Sequence, residues 1–208
     1  MRTLSAGFYD RPVLEVAREL IGCVVEHAGS SGVIVETEAY HDSEPACHAF
    51  VGLTPRTETL FGPPGIAYVY RSYGIHSLLN AVCEPPGIGA AVLIRALSPL
   101  DGLDLMWERR AVSTRGASRR VPARERDLCS GPGKLTQALG IELSENGTSL
   151  RTGPVRIGAR PRAWLDPVIV TGPRIGITKA VELPWRFCVA GDPNVSTPRL
   201  PDRVSSRG

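Results

Sequence analysis

The sequence predicts an α+β protein: a single mixed domain with a mostly antiparallel, curved sheet, flanking helices and a protruding β-hairpin. Three observations predict it. Runs with strand periodicity outnumber helical ones. Most successive runs are joined by short turns rather than crossover helices, which favours antiparallel pairing. The 208 residues contain no internal repeat and no linker long enough to divide them, so they suit one substantial core. The domain is expected to span 1–197, with the polar, Pro/Ser/Arg-rich 198–208 as a disordered tail.

The elements follow in order. "YDRPVLEVARELIG" reads as a helix with Asp10 as N-cap, Pro12 in the first turn and Gly22 past the end. Val13, Leu14, Ala17, Leu20 and Ile21 form its apolar stripe. Residues 32–40, "GVIVETEAY", alternate as a strand, and "TPRTETLFG" suggests a short helix with a Gly-Pro-Pro-Gly exit. Strand-like runs occupy 66–73, 76–83 and 90–97. A helix capped by Ser98 before Pro99 is expected next, then an arginine-rich stretch, then a helix from "SGPGKLTQALG". Shorter strands are expected near 168–170, 173–178 and 186–190.

Composition narrows the function classes. Met1 is followed by no apolar leader, and no uncharged run approaches the ~20 residues that cross a bilayer. Five widely spread cysteines without a C-x-x-C argue against a disulfide framework and a thiolate zinc site, and point to a reducing cytoplasm. Lysine occurs only at Lys134 and Lys179, so 22 of the 24 basic residues are arginine. Biased codon usage in a GC-rich genome explains the total. The crowding of Arg109, Arg110, Arg115, Arg119, Arg120, Arg124 and Arg126 fits a phosphate-facing surface or a solvated loop equally well.

Four features could carry chemistry. In a regular 33–40 strand, Ile34, Glu36, Glu38 and Tyr40 share one face, bringing two carboxylates and a phenol out of a half-buried strand. Buried carboxylates that lie close together push their pKa values apart, which is how a site obtains an ionised general base. Solvent exposure or surface ion pairing is the commoner fate of an isolated Glu-x-Glu. Arg95, after the apolar run Ala90–Ile94, needs a carboxylate partner, and a Glu–Arg pair on neighbouring strands could hold a water. The stretch "AYVYRSYGIHSLLN" gathers Tyr68, Tyr70 and Tyr73 beside Arg71. Tyr73 precedes Gly74, where the chain reverses, so it belongs at an exposed hairpin tip. An aromatic there suits wedging between stacked bases. His48 lies at no zinc-site spacing; by itself it reads as a surface histidine or a hydrogen-bonding group.

Taken together, "VETEAY", His48, "TPRT", "GPPGIAYVYRSYG", "LLNAV", "LIRALSP", "LCSGPGKL" and "RIGI", in that order, resemble the alkyladenine (3-methyladenine) DNA glycosylases of the mammalian type. The likeness runs from about residue 7 to residue 196. It implies a DNA-repair N-glycosylase that flips alkylated or deaminated purines out of double-stranded DNA and hydrolyses the N-glycosidic bond. It implies neither a metal nor another cofactor. No lysine stands among the site residues it marks, so a Schiff-base lyase step is not expected; the protein is expected to be a monomer in the cytoplasm, at the nucleoid if bacterial. Glu38 would activate the water, held also by Arg95 and the Ile175 main chain. Tyr40, His48 and Tyr70 would surround the flipped base, Asn80 would reject normal guanine, and Tyr73 would fill the gap in the duplex. A carboxylate whose pKa Arg95 keeps low suits an oxocarbenium-like transition state, and electron-rich rings gain ~0.5–2 kcal/mol per contact on a cationic base.

The match departs from the family in places. The His48–Thr54 loop is one residue shorter than in mammalian members, and Gly52-Leu53 replaces an expected basic residue. Ile75-His76 stands where the family has methionine with an aromatic or histidine. Arg71, Ile75, His76, Thr54 and Lys134 remain candidate DNA contacts, Lys134 through a helix start that could meet phosphate. Glu36 receives no role from the resemblance. The rival class is a non-catalytic nucleic-acid-binding module with an aromatic and arginine stacking platform. Glu38 argues against it, because a pure binder gains nothing from an acid facing a polyanion. A hydrolase of free nucleosides would not need the exposed Tyr73.

Overall fold

The computed structural model describes residues 1–111 and 122–201 of the chain. Arg115, Arg119 and Arg120 lie outside the described residues, as do 202–208 of the expected tail. In chain order, α1 (Ala6–Tyr9) and α2 (Val13–Leu20) precede β1 (Val24–His27) and β2 (Ser30–His41). Two single-turn 3-10 segments, His48–Val51 and Glu58–Phe61, lead to β3 (Ala67–Ser72), β4 (His76–Val82) and β5 (Ala90–Asp101). Then come α3 (Leu103–Ala111), α4 (Pro132–Leu139), β6 (Arg156–Gly158), β7 (Ile169–Gly172) and β8 (Arg186–Val189).

The fold is α+β. Its open eight-stranded sheet has the order β3-β4-β5-β2-β1-β6, with β8 pairing to β2 and β7 to β8. Among the described residues every strand pairing is antiparallel. β2 is the central strand: β5 runs along one edge, while β1 and then β8 share the other. Strand alternation divides the faces. Ala39, Val69, Leu79, Ala81, Val92 and Ile94 meet α2 and α4 in the main core, and the Thr37 hydroxyl donates to the Ala17 carbonyl at 2.8 Å. The opposite face, carrying Tyr68, Val82 and Ala91, packs under the 3-10 segments. Helices thus close one side of the sheet and leave the other for a cleft. Among the described residues no helix is long and apolar enough to cross a membrane.

Several local expectations give way to tertiary contacts. Asp10 does not cap α2: it ends α1, and the Val13 N–H is accepted at 2.8 Å by the Glu84 side chain, 71 residues away. The buried stripe uses Val16 rather than the partly exposed Leu14. Ser98 caps no helix, because β5 continues to Asp101 along β2 and α3 begins only at Leu103. Residues 173–178 form no strand; they belong to a loop between β7 and β8 that no neighbour pairs with. β1 and β6 are too short to announce themselves by periodicity. Residues 198–201 are anchored, with the Pro198 carbonyl accepting from Arg186 at 2.9 Å and Leu200 packed beside Val170 and Val195.

The arginines of the 109–126 stretch divide as well. Arg109 donates to Ser30 Oγ and to the Ala28 and Ala138 carbonyls, fastening the end of α4 to the β1–β2 turn, and Arg110 bonds Gln137. Arg124 and Arg126 are exposed.

Candidate active site

The antiparallel register builds the site. Glu38 pairs with Leu93, Leu93 with Asn80, and Asn80 with Tyr68, so one cross-strand row spans β2, β5, β4 and β3. Directly paired residues project to the same face. The next rows add Tyr40 opposite Ala91 and Tyr70 opposite Leu78. Above these rows lies a cleft of about 620 Å³ whose lining includes Tyr40, His48, Arg56, Tyr68, Tyr70, Arg71, Tyr73, Asn80, Arg95, Ile175 and Lys179. Its volume lies in the range of small-molecule sites.

Glu38 is fully buried just under the cleft floor, and all three of its partners line the cleft. Its Oε2 accepts from the Tyr40 hydroxyl at 2.8 Å and from Arg95 at 3.2 Å; its Oε1 accepts from the Ile175 N–H at 2.7 Å. Arg95 was expected to hold this carboxyl low. Burial wins instead: it keeps Glu38 above the usual carboxylate range, against the opposing pull of Arg95, the Ile175 N–H and Tyr40.

Alternation along β2 breaks at Glu36. Register shifts on both sides of it leave Ile34 in the main core with Ala39, while Val35 joins a separate cluster with Ala96 and Cys188. Ile34 therefore does not share the face of Glu38 and Tyr40. Glu36 gains the role that the sequence did not supply. Its Oε1 accepts from Arg95 Nε, Arg186 Nε and Ser196 Oγ, each at 2.8 Å, and its Oε2 from the Ser196 N–H at 2.7 Å. Burial alone would raise Glu36, but the two guanidiniums and Ser196 carry it below the usual carboxylate range. Glu36, Glu38, Arg95 and Arg186 form a buried cluster of two negative and two positive charges when both carboxyls are ionised. Removing one member of such a cluster costs roughly 3–5 kcal/mol, because the remainder is left uncompensated.

Two loops complete the walls. Glu44, just past β2, and Arg174, in the 173–185 loop, make a bidentate pair at 2.6 and 3.0 Å. The Arg174 guanidinium lies 4.7 Å from the Tyr40 ring centroid and also donates to the Ala39 carbonyl. This clamp fixes the loop that delivers the Ile175 N–H to Glu38. Neither residue was singled out from sequence; the signal available was an arginine and a glutamate in otherwise apolar or turn-rich stretches. Arg186 left the same kind of signal within "WRFCV".

The aromatic wall is interlocked. Tyr68 and Tyr70 stack at 5.3 Å between centroids, and His48 meets Tyr70 edge-on at 4.7 Å. Arg56 can only donate, so its 3.5 Å contact makes His48 Nε2 the acceptor and leaves the proton on Nδ1, facing the Tyr68 hydroxyl at 3.1 Å. Burial, with Arg56 adding to it, lowers the His48 pKa and keeps the ring neutral. Asn80 donates to the Tyr68 and Leu78 carbonyls at 3.0 and 3.4 Å, which fixes its amide in the floor.

At the hairpin tip Tyr73 is 92% exposed and holds φ +50, followed by Gly74 at +69, with the Ile75 N–H returning to the Ser72 carbonyl. A bulky residue in the left-handed region is strained, and such strain concentrates at functional sites. Ile75 and His76 stand exposed beside Tyr73, outside the cleft lining. His76 packs against Gly133 in the first turn of α4, where a Cβ would come within 2.8 Å of the imidazole. Lys134 also lies outside the lining and donates to Ser130 Oγ at 3.2 Å; Thr54 is tied into a turn with Thr57 at 2.8–2.9 Å. Lysine was expected to be absent from the site, yet Lys179 lines the cleft. Among the described residues no group of three or more His, Cys, Asp or Glu could hold a metal ion.

Comparison with known proteins adds to this geometry. The profile of the family described as methylpurine-DNA glycosylase matches residues 7–193. A relative in a Rhodopseudomonas palustris strain is 54% identical over 195 residues, covering 94% of this chain and 91% of its own length. Relatives in Bradyrhizobium diazoefficiens and Rubrobacter xylanophilus are 50% and 48% identical, covering 95% and 91% of this chain and 92% and 94% of their own lengths. All three carry the provisional name 3-methyladenine DNA glycosylase.

Proposed function

The chain belongs to the methylpurine-DNA glycosylase family and is a DNA-repair enzyme of 3-methyladenine DNA glycosylase type, and on that premise we propose that it flips an alkylated or deaminated purine out of double-stranded DNA and hydrolyses its N-glycosidic bond. The carrying observation is Glu38, buried beneath the cleft, with Oε1 accepting from the Ile175 N–H and Oε2 from Tyr40 and Arg95, all three of which line the cleft. A water there donates to Glu38 and attacks C1′ of the sugar. The bond to the base nitrogen breaks, the base leaves with the electron pair, and Glu38 takes the water's proton. The carboxylate also stabilises positive charge developing on the sugar.

Arg95 and the Ile175 N–H position Glu38 and its water, and Glu36 positions Arg95. Tyr40, His48 and Tyr70 enclose the base, and Asn80 checks its edge from the floor. Tyr73 occupies the vacated stack. Arg56, Arg71 and Lys179 supply positive charge at the cleft for phosphates. The reaction ends at the abasic site, with no lyase step. A single chain carries the whole constellation, which supports action as a monomer, on DNA in the cytoplasm.

The test is base release from duplex oligonucleotides carrying one hypoxanthine, etheno-adenine or alkylated purine, with Glu38→Gln alongside. Native protein should release a base and leave the strand intact until alkali treatment, while Glu38→Gln binds the duplex without turnover. Appreciable turnover by Glu38→Gln removes Glu38 as the base. Binding without release by either protein leaves a stacking module, and strand breaks before alkali overturn the monofunctional reading.

A further inference from the structure

Scattered exposed apolar side chains need no explanation, but here they concentrate. Among the described residues the four most exposed large apolar side chains are Tyr73 at 92%, Val51 at 75%, Leu53 at 68% and Ile75 at 62%. Two form the hairpin tip. The other two, with Phe50 at 51%, form a second tip. That segment runs between His48 and Arg56, which both line the cleft, and His48 touches Tyr70 of the hairpin strand. The second tip therefore stands on the cleft rim beside the first.

It is also held in place. Thr57, itself buried, donates from Oγ1 to the Gly52 carbonyl at 2.8 Å and accepts the Thr54 N–H at 2.8 Å. Gly52 takes φ +84, and a Cβ there would meet nothing within 4 Å, so the turn projects outward. No cation occupies 49–53; arginine resumes at Arg56. An anchored apolar prong on the rim of a cation-lined cleft is suited to pressing on base and sugar edges rather than to gripping phosphate.

We infer that Val51 and Leu53 form a second apolar prong that presses into duplex DNA next to the Tyr73 wedge and helps hold the distorted duplex open. This deepens the glycosylase reading and rests on it. Because both residues are exposed, Val51→Ser/Leu53→Ser keeps the folded core, which unchanged thermal melting verifies. Duplex affinity should fall about tenfold, equivalent to ~1.4 kcal/mol, with the salt dependence unchanged because no charge is lost. Excision from duplex should fall more than excision from single strands, using whichever lesion the native protein releases fastest. Leu53→Lys should instead steepen the log affinity against log salt slope by ~0.9, one added phosphate contact.

Affinity is read on undamaged as well as damaged duplex, so the prong is tested even if no base is released; failure of the native protein to release any base sinks the glycosylase reading separately. Native-like duplex affinity for the double Ser variant, or an unchanged salt slope for Leu53→Lys, overturns the prong. So does a fall in sedimented mass from dimer to monomer in the double variant, which would assign the tip to contact between copies.

Discussion

Glu38 is pulled in two directions. Three donors favour its ionised form, while complete burial disfavours it more strongly, so its carboxyl sits above the usual range. Water activation needs the carboxylate, so excision should fall as pH drops through that raised pKa, at a higher pH than the ~4.3 of a free glutamate. The measurement is single-turnover excision against pH with a substrate that does not itself titrate in the window. An acid limb at or below that of an ordinary carboxylate would mean that Arg95 dominates. Glu36 does not compete for this proton, because its two guanidiniums and the Ser196 N–H hold it ionised.

At the level of elements, the β3–β4 hairpin brings Tyr68, Tyr70 and Asn80 to the cleft and holds Tyr73 at its tip. It is braced just below its tip, where the Thr136 hydroxyl of α4 donates to the Ser77 carbonyl at 2.6 Å and His76 packs on Gly133. Tyr73 contributes nothing to the core, and its exposed, strained placement is what the proposed wedge would need. Tyr73→Ala should leave melting unchanged and slow excision from duplex by roughly 10–100-fold, the scale of unstacking a few kcal/mol, with a smaller effect on single strands. Equal loss on both substrates would remove the wedge. The 173–185 loop plays the complementary part. It was expected to contain a strand, and the Arg174–Glu44 clamp, not sheet pairing, gives it the order that aims the Ile175 N–H at Glu38.

Across the whole molecule the net charge is only +3, but Arg56, Arg71, Arg95 and Lys179 all face one cleft. Duplex binding should weaken with salt, with a slope near 0.9 per neutralised phosphate, and titrating affinity against salt measures it. A flat response would mean that DNA is the wrong partner. The α+β class, the hairpin and the Glu–Arg pairing of β2 with β5 were legible because strand alternation and turn residues are local signals, and in β3, β4 and β5 the assembled sheet kept them. Sequence by itself also determined the family, through motifs in register over nearly the whole chain. Only the tertiary structure decided what Glu36 is for, because its partners Arg186 and Ser196 lie 150 and 160 residues away and the register shifts around it carry no local mark. The same holds for the capping of α2 by Glu84 and for the pKa of Glu38. Burial is a property of the assembled sheet and loops, and no window of sequence contains it.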